Sequence, residues 1–255
     1  MKNHIIDTLG QTAARHTTSF NMALTGVVSA LIYGAAPTAP STLSAYTRDE
    51  QSVESSYLTT MAQVIDEGLA DVVAAAAESA NVSLTQDQAM ALVRETVPAR
   101  NELLGQLAAL AHKNGMTASR RVRDFVTRVD LSVMNGRNSM SGALVAARIV
   151  ESQVGLTFRA TDTLGRSWKT TDYAAAMVKG VLQTAYADTF ARAAALAGHD
   201  LIRVIYADQQ HDNHGLVLSL SGAKGKVPFM SARDEIFHPN STATLELAGG
   251  DRVPS

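Results

Sequence analysis

The sequence predicts an α+β protein: a mainly helical N-terminal region, then a small C-terminal α+β domain with a short mixed or antiparallel sheet. Three observations predict it. Up to Gln153 the apolar residues recur at helical spacing; from Leu156 onward short alternating runs appear; and between them lies the stretch Thr161–Val178, which holds the only tryptophan. At 255 residues the chain can bury a sizeable core. Hydrophobic content of 46% and charge of 18% are ordinary for a globular protein, while aromatics at 5% and abundant alanine favour closely packed helices. With no cysteine, disulfide and thiol chemistry are excluded and the strongest zinc ligand is missing.

Taken in order, the chain divides into 1–40 (an N-terminal arm and linker), 41–153 (a helical region) and 154–255 (the C-terminal domain). The run Met22–Ala36 is broken by Thr25, Gly26 and Ser29. It fits neither a secretory signal nor a spanning helix, so no stable membrane insertion is expected. Gly34–Ser44, with Pro37 and Pro40, reads as a linker. Asp49–Ala80 is the most regular helix, with Leu58, Met61, Ile65, Leu69, Val72 and Val73 on one stripe. Ser83 and Gln86 resemble a capping box opening a short helix. Pro98 begins another, over 99–112, ending before Gly115. A further helix starts at Thr117 and buries Val122, Phe125 and Val129, and Ser141–Gln153 is one more.

Beyond these, Leu156–Ala160 alternates as a strand, and Asp162–Gly165 is a reversing turn. Thr170 or Thr171 caps a helix that stops at Gly198. Strands are expected at Leu201–Tyr206, Leu216–Leu220 and Ala243–Leu247, with a brief pairing at Lys226–Met230 and a loose tail from Gly249. The proline of His238-Pro239-Asn240 fixes a rigid corner before the last strand.

The net charge of −2 hides an asymmetry. Residues 41–110 carry 3 basic and 10 acidic side chains (−7), whereas 111–170 carry 10 basic and 4 acidic (+6). The basic block includes Arg120, Arg121, Arg123, Arg128 and Arg137. Such a block either meets nucleic acid or pairs with the protein's own acids. Asp208, His211, Asp212 and His214, with His199 and His238, are the candidate metal ligands, though their spacing is no specific metal signature and a polar loop accounts for them. No Gly-x-Ser-x-Gly elbow is present, and Gly222–Lys226 lacks the Gly-Lys-Ser/Thr ending of a phosphate loop.

Five stretches in series carry a family resemblance. These are Asp162-Thr163-Leu164-Gly165-Arg166-Ser167-Trp168; Tyr173 with Met177; Gly198-His199-Asp200-Leu201; Gly215–Gly222 with Ser219 and Ser221; and Phe237-His238-Pro239-Asn240. In order and approximate spacing they resemble the phage minor capsid protein 2 family, over residues 156–245. The resemblance implies a head-morphogenesis protein of a tailed phage, made in the host cytoplasm and carried in the virion. It further implies association with the portal and/or major capsid protein, a task in DNA packaging or delivery, no catalytic site and no cofactor. It assigns Asp162, Gly165, Arg166, Trp168, Tyr173, Gly222, His238, Pro239 and Asn240 to the fold. Where the family commonly continues the corner with Cys, Arg and His, this chain has Ser241, Thr242 and Ala243. Double-stranded DNA is the second expected partner, through Arg120, Arg121, Arg123 and Arg128. The competing expectation is an enzyme, a metal-dependent hydrolase or toxin-type transferase, using His211, His214 and His238.

Overall fold

The first helix, α1 (Lys2–Tyr33), is followed across only six residues by α2 (Pro40–Ser79). Pro40 does not end a linker; it opens the helix, where its missing N–H costs nothing and its fixed φ suits the first turn. The structure is a computed structural model and describes residues 2–136 and 138–249, so Arg137 and the expected tail at 250–255 lie outside it. After α2 come α3 (Gln86–Glu95), α4 (Val97–Met134) and α5 (Met140–Ser152). A hairpin of β1 (Arg159–Thr161) and β2 (Ser167–Lys169) leads into α6 (Thr170–Leu196). The chain then runs through β3 (Leu201–Ile205), β4 (Val217–Ser219), β5 (Val227–Pro228), α7 (Phe229–Ile236) and β6 (Thr244–Leu247). The fold is α+β, long helices first and a four-stranded sheet last. No described helix is long and apolar enough to cross a membrane.

Besides the start of α2, four elements differ from the sequence expectation, the first being the strand expected at Leu156–Ala160, which pairs only over Arg159–Thr161. The break expected at Gly115 is absent, and α4 runs unbroken from Val97 to Met134. Gly115 is buried there, and its missing Cβ leaves room for the Glu50 carboxylate, whose Oε1 lies 2.8 Å from where a Cβ would stand. The capping box of α3 is formed by Thr85 and Gln88, two residues later than Ser83 and Gln86. Lys226–Met230 pairs only through Val227 and Pro228, after which Phe229, Ala232 and Ile236 recur at helical spacing and are buried as one face of α7.

The chain gathers into two compact units that do not follow chain order. One comprises residues 15–61 and 106–173. Its core joins Val28, Leu31 and Ile32 of α1, Tyr46 of α2, Ala118, Val122, Phe125 and Val129 of α4, and Ala143 and Ala147 of α5. Phe20 and Tyr57 stack in the same unit with ring centroids 4.5 Å apart.

The other unit comprises, within the described residues, 2–14, 62–105 and 174–249. Its sheet has the order β5-β4-β3-β6, antiparallel except for β4 with β5. Ile202 faces Leu218 on one side and Leu247 on the other, and Val204 faces Leu245. Ile202 and Val204 are buried while their neighbours are half-exposed, the alternation of a strand covered on one face. Val178, Leu182, Tyr186 and Phe190 make the buried stripe of α6 in this unit. Gly198, at φ +80°, ends the helix in the left-handed conformation that a residue without a Cβ adopts at no cost.

Candidate functional site

Asp162 is the centre of the hairpin between β1 and β2. Its Oδ1 accepts from the backbone N–H of Leu164 at 3.0 Å and of Arg166 at 2.8 Å. Its Oδ2 accepts from Arg166 Nε at 2.6 Å and from the Trp168 indole N–H at 3.0 Å. Loss of water around the carboxylate disfavours its charge, but these four donors outweigh that and hold its pKa at about 2. Gly165 takes φ +77°, so the turn closes where a side chain would be strained. The Arg166 guanidinium lies 5.6 Å from the Trp168 ring centroid. One residue therefore organises the turn: the Asp162 carboxylate holds Leu164, Arg166 and Trp168, and its backbone carbonyl accepts from Gly165 N–H at 3.0 Å. Thr170 then accepts from Asn21 Nδ2 at 2.9 Å, fixing the start of α6 within the same unit.

Two other motif stretches interlock in the sheet unit. Asp200, just before β3, accepts from Ser221 N–H at 2.7 Å and from Ser219 Oγ at 3.0 Å. Ser219 Oγ in turn accepts from Ala223 N–H at 2.8 Å. Partial burial opposes the Asp200 charge, yet the Ser221, Ser219 and Leu220 donors keep its pKa below the usual carboxylate range. Gly222 carries the chain round at φ +80°. At the corner, His238 Nδ1 accepts from Asn240 N–H at 3.3 Å, and Pro239 Cγ sits 3.1 Å from where a Cβ on Gly180 would be. Gly180 thus gives the corner its seat against α6. Phe237 is buried beside it, whereas Phe158, Trp168 and Tyr173 are only half-buried.

The four arginines divide by use. Arg121 and Arg128 both reach the carboxylate of Glu151 on α5, at 2.5 and 2.8 Å, and that side chain is 3% exposed. Arg121 also donates to the carbonyl of Val154. Arg120 and Arg123 stand exposed on α4. The structure thus commits half of the expected anion-binding set to an internal carboxylate. Arg120 and Arg121 share a hollow of about 190 Å³ with Asp124, whose single charge offsets one of theirs.

The histidines likewise serve turns. The His211 ring stacks on Tyr206 at 3.6 Å, and its Nδ1 accepts from Asn213 N–H at 3.2 Å. His214 Nδ1 accepts from Tyr206 N–H at 3.2 Å. Among the described residues no three His, Asp or Glu side chains gather as metal ligands.

One feature escaped the sequence reading. Lys2 is 4% exposed in the sheet unit, its ammonium donating to the Ala243 carbonyl and lying 4.7 Å from the Tyr186 ring centroid and 5.5 Å from that of Phe237. Burial lowers its pKa to about 7. Asn3 and Gln183 donate to the two preceding carbonyls, Thr242 at 3.1 Å and Ser241 at 2.6 Å. Three successive carbonyls after the corner are thus held by three side chains. No local signal marks Lys2 for burial, since its hydrogen-bond partner Ala243 lies 241 residues away along the chain.

Comparison with family models, with curated proteins and with solved structures finds no match to this chain.

Proposed function

We propose that this chain is a structural minor capsid protein of a tailed phage. In this reading it is carried in the virion, binds the portal or major capsid protein, and aids head morphogenesis or DNA delivery without catalysing a reaction. The observation that carries the reading is the use made of the motif residues: Asp162 ties Gly165, Arg166 and Trp168 into one turn, and Asp200 ties the Ser219–Gly222 turn to β3. Residues that recur for the sake of a fold behave this way, whereas catalytic groups keep reactive atoms open to a substrate. The nucleic-acid part of the proposal rests on Arg120 and Arg123, because Arg121 and Arg128 are engaged by Glu151.

The test is mass determination by light scattering of the purified chain with the portal protein encoded near it. A mixed complex of defined stoichiometry supports the proposal. Absence of a complex with portal and major capsid protein alike, over about 1–100 μM, defeats it. The DNA contact is tested separately. Duplex binding should fall steeply with salt, and Arg120→Ala with Arg123→Ala should flatten that dependence by up to about two units of log–log slope.

A further inference from the structure

The chain ahead of β1 is built like a strand and has no strand beside it. β2 ends at Lys169, where α6 begins, so β1 pairs only over Arg159–Thr161. Before that point the burial already alternates: Leu156 and Phe158 are half-buried and Ala160 is buried, while Gly155, Thr157 and Arg159 are exposed. This is the period of a strand covered on one face. Yet among the described residues no backbone hydrogen bond reaches Gly155, Leu156 or Thr157. The segment is nonetheless fixed at both ends. Val154 N–H donates to the Glu151 carbonyl at 3.2 Å and its own carbonyl accepts from Arg121, and β1 follows. Asp162 N–H donates across the hairpin to the Arg166 carbonyl at 3.1 Å. The alternate residues Gly155, Thr157, Arg159 and Thr161 therefore turn their backbone groups to the opposite, open edge of this two-stranded sheet. Hollows flank the segment on its helix sides. One of about 450 Å³ lies between Met22, Thr25 and Ser29 of α1 and the side chains of Leu156 and Phe158, and none of its described lining residues is charged. The other, of about 190 Å³, lies between Thr117 and Arg120 of α4 and residues 155–157.

We infer that this edge takes an extended segment of another protein, which adds a third strand beside residues 155–161. A row of unpaired N–H and C=O groups is answered residue by residue only by another extended backbone. Seven residues at about 3.3 Å each give roughly 23 Å of edge, room for a partner strand of about six residues. Both α1 and α4 line hollows on the segment, so a second copy of this chain, whose own segment is walled in the same way, is kept out while a lone strand enters. A nucleic acid is not called for, because the larger hollow is uncharged and the smaller sets Asp124 against Arg120. The larger hollow also selects the partner's residues. Every second side chain of the added strand enters an uncharged space, which suits valine, isoleucine or threonine and excludes lysine and glutamate. The inference does not depend on the virion reading, since the edge and the hollows are the same whichever protein supplies the strand.

The experiment selects random ten-residue peptides by display against the full chain and measures the binders by titration and amide exchange. The expected binders carry β-branched residues at alternate positions and bind at about 1–100 μM. In the free chain the amides of residues 155–157 should exchange freely, and a bound peptide should slow Gly155 and Thr157 at least about 10-fold. N-methylation of every second peptide amide should weaken binding at least about 10-fold, and the same change at the intervening amides should not. Thr157→Pro removes one donor from the edge and, with the melting temperature unchanged, should weaken binding about 10-fold. The N-methylated peptides leave the protein itself untouched, so they decide the matter even where Thr157→Pro melts early. A selection that yields no binder overturns the inference. So do amides at 155–157 that are already protected in the free chain, or binders whose affinity survives N-methylation at both sets of positions.

Discussion

At the scale of single residues, three charges are held by very different surroundings, and each gives a distinct expectation. The folded pKa of Asp162, about 2, lies below the ordinary carboxylate value of about 3.9. Its contribution is therefore fully present above about pH 4 and is lost as pH falls towards 2. Trp168, the only tryptophan, reports on it directly through its bond to Oδ2. Trp168 emission should shift across that acid range in the wild type and stay flat in Asp162→Ala, in which amide exchange at Leu164 and Arg166 should be fast throughout. Lys2 runs the opposite way along the pH axis. Its folded pKa of about 7 lies below the unfolded value of about 10.4, so the folded state disfavours the charge. The penalty is small near pH 10, grows as pH falls to 7, and is constant below. Stability of Lys2→Met relative to wild type should thus rise from pH 10 to pH 7 and level off, as urea denaturation at successive pH values would show. Glu151 is the third. Its loss leaves Arg121 and Arg128 unpaired beside each other, but with side chains 18% and 40% exposed both can turn to water, so Glu151→Ala should cost about 1–2 kcal/mol in urea unfolding.

Among the elements, what was legible in the sequence is what local chemistry decides. The Asp162–Gly165 turn, the α2 stripe and the β3 alternation each follow from residues a few places apart, and each stands where it was expected. The continuity of α4 was not legible, because glycine near the middle of a helical run reads as a stop unless its neighbour in space is known. Here the neighbour is Glu50, whose carboxylate accepts from Ser119 Oγ at 2.9 Å beside the bare Gly115 backbone. The same helix offers a control. Gly105 is exposed, and a Cβ there meets nothing within 4 Å. Gly105→Ala should raise stability by about 1 kcal/mol through helix propensity alone. Gly115→Ala should gain less or lose, since its methyl must displace Glu50 from Ser119. Thermal melts of the two variants side by side would show the difference.

At the scale of the whole molecule, the boundaries that composition suggested, near residues 40 and 153, describe where the texture of the sequence changes; the compact units are gathered differently. Four helices pass through both. The first unit draws on residues 15–33 of α1 and 106–134 of α4, while the sheet unit takes their opening residues, the second half of α2 and most of α6. Segment composition carries no trace of this, because each long helix keeps one amphipathic pattern along its length while its neighbours change. The sheet unit shows the consequence. Gly68 of α2 leaves room for Leu9 of α1, Gly10 of α1 leaves room for Lys179 of α6, and the Lys2 ammonium of α1 lies against the Tyr186 ring of α6. A fragment comprising residues 154–255 carries the whole four-stranded sheet and α6 yet lacks every one of these α1 and α2 partners. It would expose Val178, Leu182, Tyr186 and Phe190 along one side of a helix, more apolar surface than a sheet of such short strands can cover. Expressed alone, it should lack a cooperative thermal transition and show fast amide exchange over β3, whereas the intact chain protects Ile202 and Val204. Adding back residues 1–105 in trans should restore that protection; if the isolated fragment already protects β3 as the intact chain does, the helices are not what holds the sheet.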